Sequence, residues 1–356
     1  MNEANSPVAD AGLSSAVAQA ERCDAAGKHA EAVNHLAAAA RRRDVEALTQ
    51  LGKRLLVGDR APLLPNDGAR FVADAATLGG AEAAAVLAVL YAVGGSPRHG
   101  FPDALDALAL AAERGWPAAQ AQLELLGAEP GDPGRRDPAD WRRLRSTIDL
   151  AAWRAPAPGT PLSADPLVKL IPDFLDDRVC RWLIERSRGR LVRAQVYEAM
   201  NKRTTVSETR TNTAATFNLL DLDVVGALVQ ARMAACAGIA FRQLEPLAVL
   251  HYAPGEEITE HYDFVDPNVP DYDREIASKG QRVVTFLVYL NDDYAGGTTD
   301  FPRVGVSHKG RRGDGLYFVN ALPDGSADVR TLHAGRPPAH GEKWIVSQFM
   351  RDRATL

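Results

Sequence analysis

The stretch LEPLAVLHYAPGEEITEHYD, residues 244–263, decides the fold. Its LAVLHY segment is apolar and aromatic and stops at a Pro-Gly turn, so it reads as a strand. After the turn the stretch closes on His261-Tyr262-Asp263. In a strand, residues i and i+2 project to one face. His261 and Asp263 are therefore expected to point together into the interior, with Tyr262 pointing away. His333 follows 72 positions after His261, and Lys343 comes ten positions after His333. Two imidazoles and one carboxylate, supplied as His-x-Asp plus a distant His, form a facial triad that leaves one side of a metal open. That is the ligand set of a non-haem Fe(II) oxygenase. His251, His308 and His340 compete for the imidazole positions. A turn-like APGEE separates His251 from His261, and His308 lies in a basic loop, so both read as structural or peripheral.

Outward from this stretch the chain alternates short apolar runs with Gly, Pro and Asp turns. RVVTFLVYLN, TTDFP, GDGLYFVN and KWIVSQFMR each read as a strand. Upstream, LVKLIPDFLDDRVCRWLIERSR reads as a strand, an Asp cap at Asp176-Asp177 and an amphipathic helix with Val179, Leu183 and Ile184 inward. A second helix is expected over 222–240. Helices followed by many short strands, with the metal residues on the strands, fit an α+β double-stranded β-helix, or jelly roll, over 166–356. Gly296 and Gly297 suit a tight turn and, with Pro302, read as structural.

Residues 128–165 are rich in Pro, Gly and Arg and read as a linker, with one helix from Trp141 to Trp153. Residues 21–127 are rich in Ala and Leu and repeat. Leu51, Leu87 and Leu123 stand 36 apart, as do Ala47, Ala83 and Ala119, Ala40, Ala76 and Ala112, and Arg43, Gly79 and Gly115; Gly58 pairs with Gly94. A fixed period in the thirties with helical spacing inside each unit implies stacked helical hairpins, in an α-helical solenoid ahead of the oxygenase domain. Residues 1–20 are small and polar and are expected to be a flexible N-terminus.

Composition bounds the rest. A chain of 356 residues with 46% hydrophobic and 24% charged residues is an ordinary globular protein of two domains. A net charge of −5 argues against general binding to nucleic acid or anionic membrane. Cys23, Cys180 and Cys236 are odd in number and far apart, which gives no disulfide framework and no paired zinc motif. With no secretory signal or apolar span read in the sequence, the expected location is cytoplasmic. The Arg- and Ala-rich usage fits a GC-rich bacterial genome.

Two resemblances sharpen these expectations. Residues 21–127 resemble Sel1-like repeats, relatives of tetratricopeptide (TPR) repeats. The resemblance rests on an A-x-x-x-L-G/A core (Ala47, Leu51, Gly52; Ala83, Leu87, Ala88) and an A-A-x-x-G close (Ala75, Ala76, Gly79; Ala111, Ala112, Gly115). Such repeats usually bind proteins or peptides; an appendage that only packs is the alternative.

The run 166–356 resembles the prolyl 4-hydroxylase-like 2-oxoglutarate/Fe(II) dioxygenases. The segments that carry it come in the family's order: IPDFLDDRVCRWLI, RTNTAATF, LEPLAVLHYAPGEEITEHYD, VVTFLVYLNDDYAGGTTDFP, NALPDGSADVRTLHAG and GEKWIVSQFMR. The resemblance implies that His261, Asp263 and His333 bind Fe(II). It also implies that Lys343 receives the distal carboxylate of the cosubstrate 2-oxoglutarate, and that Tyr252 and Thr285 line the cosubstrate pocket. For Thr285 a plain β-branched strand residue is the equal alternative. Arg210, Thr211, Phe349 and Arg351 fall on the substrate side. Asn212 replaces the family's usual serine, and Phe349 and Met350 also depart from its pattern, which puts a peptidyl-proline substrate in question.

The implied reaction consumes O2 and 2-oxoglutarate, releases succinate and hydroxylates an unactivated C–H bond; ascorbate is a usual stimulant in the family. Related halogenases lack the carboxylate ligand, so Asp263 favours hydroxylation. The implied partner is a protein or peptide substrate recruited by the helical repeats. A small-molecule hydroxylase, or an inactive repeat scaffold sensing iron or 2-oxoglutarate, are the competing readings.

Overall fold

A computed structural model describes residues 15–127, 137–193, 195–198, 203–206, 209–269 and 272–354. The first 14 residues of the expected flexible terminus and residues 128–136 of the expected linker lie outside them. The chain divides into two compact units, 1–148 and 149–356. Among the described residues no helix is long and apolar enough to cross a membrane.

The first unit is helical: α1 (Ser15–Ala25), α2 (His29–Arg41), α3 (Val45–Val57), α4 (Pro65–Thr77), α5 (Ala81–Ala92), α6 (Phe101–Glu113), α7 (Pro117–Leu126) and α8 (Pro138–Ser146). The starts of α2, α4 and α6 are 36 residues apart, and so are those of α3, α5 and α7. The repeated alanines explain the stacking: Ala47, Ala83 and Ala119 are completely buried, so neighbouring helices approach without a side chain between them. The chain turns between the paired helices at Arg43, Gly79 and Gly115, all left-handed with φ of 63°, 107° and 83°. Two of these three positions hold the residue that takes this conformation at low cost; the third holds arginine.

Two expectations shift. Helix α1 begins at Ser15, inside the segment expected to fray, because Val17 and Ala20 are buried. The single helix expected from Trp141 to Trp153 is two, α8 and α9 (Leu150–Arg154). The break follows from Asp149, whose carboxylate accepts from the N–H groups of Ala151 and Ala152 and so starts a new helix.

The second unit continues from α9 with β1 (Thr160–Ala164), β2 (Leu167–Ile171), α10 (Asp177–Arg188), β3 (Val192–Arg193), β4 (Gln195–Glu198), β5 (Arg203–Val206), β6 (Thr213–Phe217) and α11 (Val224–Ala237). Then come β7 (Leu247–Tyr252), β8 (Ile258–His261), α12 (Tyr272–Lys279), β9 (Arg282–Tyr289), β10 (Ala295–Gly296), β11 (Thr299–Phe301), β12 (Val306–His308), β13 (Gly315–Val319), β14 (His333–Gly335), β15 (Pro338–His340) and β16 (Lys343–Arg351). Asp176 caps α10 by accepting from Val179 N–H at 2.9 Å, as its sequence position suggests. Helix α12 was not foreseen.

Eight strands form one sheet in the order β1-β2-β13-β9-β16-β7-β6-β3, and four form another in the order β12-β11-β14-β8. Every pairing within the two sheets is antiparallel. Side chains from both sheets share a core: Val168, Leu287, Tyr289, Leu316, Phe318 and Ile345 from the large sheet meet Phe301 from the small one. This is a β-sheet-rich domain that follows a helical region in the chain, the architecture expected. Gly296 and Gly297 turn the chain between β10 and β11 with φ of 71° and 66°.

Candidate metal and cosubstrate site

The site is built where the small sheet meets the large one. His261 ends β8, His333 begins β14, and the two are direct cross-strand partners. Their rings lie 4.2 Å apart, centre to centre. Each ring is oriented by its own backbone: His261 Nδ1 contacts Thr259 O at 2.8 Å and His333 Nδ1 contacts Thr331 O at 3.0 Å. With Nδ1 donating to a carbonyl, Nε2 is the free nitrogen on both rings. Phe301 stacks on the His333 ring at 5.4 Å and Phe318 meets it edge-on at 4.7 Å.

Asp263 lies two residues past the end of β8, off the ladder, yet its carboxylate reaches both rings. Oδ1 is 3.4 Å from His261 Nε2, and Oδ2 is 3.4 Å from His333 Nε2. Ligand atoms of all three residues lie within 4.8 Å of one another, the one such group among the described residues. Burial alone would raise the Asp263 carboxyl, but the His333 and His261 rings beside it hold it well below the usual carboxylate range. Burial likewise disfavours a charged His333, and the Asp263 carboxylate reverses that and raises it. The two rings stand where they would share a cation with the carboxylate.

Lys343 opens β16 opposite Tyr252 of β7. It is completely buried, and its Nζ has no hydrogen-bond partner among the described residues. The ring centres of Tyr252 and Tyr289 lie 5.2 Å and 5.8 Å from it. Burial pushes the amine down to about 7, with Asp300 pulling the other way. Tyr252 is buried too, and burial pushes its phenol up. Its hydroxyl lies 3.2 Å from where a Cβ on Gly335 would stand, so glycine there leaves the hydroxyl its room.

One cavity of about 530 Å³ contains the triad, Lys343 and Tyr252 on its walls. Arg210 and Phe349, expected on the substrate side, also line it. Three other expected residues stand elsewhere. Thr285 is absent from the cavity wall and instead donates its hydroxyl proton to Asp263 Oδ2 at 2.8 Å. Thr211 ties the β6 entrance to Glu257, through both its N–H and its hydroxyl. Arg351 is 1% exposed and off the wall. It is consumed by Glu245, Glu275 and the Gly280 carbonyl, because a buried guanidinium must be paired on every side.

The competing histidines stay outside the group. His251 packs on Trp344 at 4.4 Å, His308 packs edge-on against Tyr289 at 5.7 Å, and His340 is exposed. Sequence reading missed Arg282 and Glu275, which line the cavity, and Asn320, which lies behind it. Asn320 stands inside a motif already singled out, but no pattern marked its side chain.

Residues 247–351 match the family model described as 2OG-Fe(II) oxygenase superfamily. Probable prolyl 4-hydroxylase 9 of Arabidopsis thaliana is 31% identical over 54% of this chain and 71% of its own length. Prolyl 4-hydroxylase subunit alpha-1 of Gallus gallus is 30% identical over 51% of this chain, and the chain spans only 35% of that relative's length. The crystal structure of a viral collagen prolyl hydroxylase from Paramecium bursaria Chlorella virus-1, a 2OG complex, superposes with a TM-score of 0.40 at 26% identity, covering 52% of this chain and 95% of that one.

Proposed function

This chain belongs to the prolyl 4-hydroxylase-like 2OG-Fe(II) oxygenases, a family that uses Fe(II), 2-oxoglutarate and O2, and from that premise we propose that it hydroxylates proline in a protein or peptide. The observation that carries the metal and cosubstrate half of the proposal is the buried, partnerless Lys343 amine in the same cavity as the His261, Asp263 and His333 ligand atoms, while the choice of proline follows the prolyl 4-hydroxylases to which the chain is similar. A buried cation without a counter-ion is costly, so the cavity is complete only when an anion enters it.

The residues present fit both groups. Two imidazoles presenting Nε2 and one carboxylate suit ferrous iron. The orphaned Nζ suits the far carboxylate of a short dicarboxylic acid. His261, Asp263 and His333 would hold the metal, Lys343 would hold the cosubstrate's distal end, and Tyr252, on the same cavity wall, would offer a hydroxyl. When bound, the metal would activate O2, the oxidant, and 2-oxoglutarate would supply two electrons on decarboxylation, one oxygen atom ending in succinate and the other in the hydroxylated C–H bond, with carbon dioxide released.

The chain's own work is binding, orientation and exclusion of water. Leu250, Leu287 and Ile345 wall the cavity with hydrocarbon, which would strengthen an ion pair between Lys343 and an entering carboxylate. Arg210 and Phe349 border the space left for substrate. The helical unit, built of stacked hairpins, is proposed to recruit the protein substrate.

The test is succinate release and a 16-dalton gain on a peptide array. The wild type is expected to give both with Fe(II) and 2-oxoglutarate. Asp263→Ala and His333→Ala should reduce both by at least about 1,000-fold, as expected when an essential ligand is lost. Undiminished turnover in either variant removes the triad from the mechanism. Succinate released with oxidation of a free amino acid, and no peptide modified, moves the substrate to a small molecule.

A further inference from the structure

The two histidines are fixed by strand pairing and by their own backbone carbonyls. Asp263 has neither, since the ladder between β8 and β14 ends before it. Something else must set the plane of its carboxylate. The structure supplies a chain of two hydrogen bonds from the opposite sheet. Thr285 Oγ1 on β9 lies 2.8 Å from Asp263 Oδ2, and Asn320 Nδ2, one residue beyond β13, lies 2.9 Å from Thr285 Oγ1.

The direction of both bonds follows from chemistry. An ionised carboxylate only accepts, so the single hydroxyl proton of Thr285 goes to Asp263. The hydroxyl oxygen must then accept, and only the amide NH2 of Asn320 can donate to it. That assignment leaves Asn320 Oδ1 buried with no partner among the described residues. A flipped amide would pair Oδ1 with Thr285 and take the proton away from Asp263. The frame behind the chain is rigid: Asn320 N–H donates to Val283 O at 2.8 Å, and Asn320 O accepts from Asp328 N–H at 2.9 Å. Thr285 and Asn320 are both completely buried, so water does not compete for these bonds.

We propose that Thr285 and Asn320 are positioning residues, a two-bond tether from the large sheet that holds the Asp263 carboxylate in the orientation needed for metal binding. The proposal rests on the reading that the triad binds ferrous iron. It gives Thr285 a task different from lining the cosubstrate pocket. It also gives each of the three ligands a second partner, an outer arrangement that raises metal affinity in other metalloproteins.

Anaerobic titration of the full chain with Fe(II), and with Co(II) for its visible absorption bands, tests it. Thr285→Val keeps the side-chain shape and removes the hydroxyl. It is expected to weaken metal binding about 10–100-fold and to change the Co(II) band pattern, while Thr285→Ser restores both. Asn320→Ala should weaken binding in the same direction, and the double variant should be little worse than Thr285→Val alone, because both act through one bond to Asp263.

Thermal unfolding of the metal-free variants separates a folding defect from a metal defect. If Thr285→Val does not fold, Asn320→Ala decides, since it leaves the Thr285 hydroxyl in place. Wild-type metal affinity in folded Thr285→Val or Asn320→Ala overturns the tether, as does a Thr285→Ser variant no better than Thr285→Val. If the wild type fails to bind ferrous ion, or His333→Ala binds it as well as the wild type, the underlying reading has failed instead.

Discussion

Lys343 carries the sharpest consequence at the scale of one residue. Its ordinary value is 10.5, and burial brings it to about 7 in the folded chain. Between those two values the unfolded chain holds a proton that the folded chain has shed. The destabilisation is therefore full below pH 7 and fades as pH rises toward 10.5. The cofactor-free protein should unfold at a higher temperature at pH 9 than at pH 7 so far as this group decides. Lys343→Met should flatten that dependence and raise the midpoint at pH 7 by roughly 5 °C. Differential scanning calorimetry without metal or 2-oxoglutarate checks it. Binding of 2-oxoglutarate through Lys343, as proposed, would run the other way, because an ion pair needs the ammonium form. Its affinity should fall up to about tenfold per pH unit above pH 7, with proton uptake visible by calorimetry in two buffers. Lys343→Met should lose at least about 100-fold in that affinity.

Much of this was legible beforehand. His261 and Asp263 share a strand-like spacing, and the segments around them come in a familiar order. Depth was not legible. Thr285, Leu287 and Tyr289 alternate alike on β9, and nothing in the sequence says which lines the cavity and which instead holds a carboxylate of its wall.

At the scale of elements, strands and capped helices were readable from composition and turn residues. Helix α12 was not. YDREIASK is eight residues long, mostly polar, and has no buried residue, so it offers no apolar stripe. It is held instead by charge. Glu275 on α12 lines the cavity and pairs with Arg351 at 2.7 Å, while Arg351 and Arg282 share Glu245. Burial alone would raise the Glu245 carboxyl, and the two guanidiniums lower it. Its contribution is thus present above the ordinary carboxylate range and is lost as pH falls through its lowered value. Arg351→Met should cost about 3–5 kcal/mol, because Glu275 loses its cation and Glu245 keeps only one. Adding Glu275→Gln should cost less than its effect alone, a non-additivity that a double-mutant cycle in urea would measure.

The helical unit gives a prediction of opposite sign. Arg43 is the one non-glycine at a turn position where Gly79 and Gly115 recur, with φ of 63°. Arg43→Gly should stabilise the protein by about 0.5–1 kcal/mol, read as a higher urea midpoint. The 36-residue period announced this turn in the sequence, but the arginine masked its conformation.

For the whole molecule, the division at residues 148 and 149 makes a direct prediction. A chain of residues 149–356 should fold, bind ferrous ion like the full chain and release succinate without peptide, while its turnover of a protein substrate falls. Insolubility, or loss of metal binding, would mean the helical unit completes the catalytic core. Sequence composition marked two domains but set their junction across a broad Pro-rich stretch, because α8 carries few apolar residues, burying only Trp141 and Leu144, and adds ion pairs to α6 such as Arg142 with Glu113 at 2.5 Å.

The direct opposition of His261 and His333 across β8 and β14 reaches further than the site itself. Side chains alternate along a strand, so a slip of one residue would send one imidazole to the outer face and leave the other alone. An iron ion bound by the triad would then act as an inspector of assembly: a misregistered pair of strands has no pair of nitrogens to offer it, and holding the ion would certify that two segments 72 residues apart have zipped correctly.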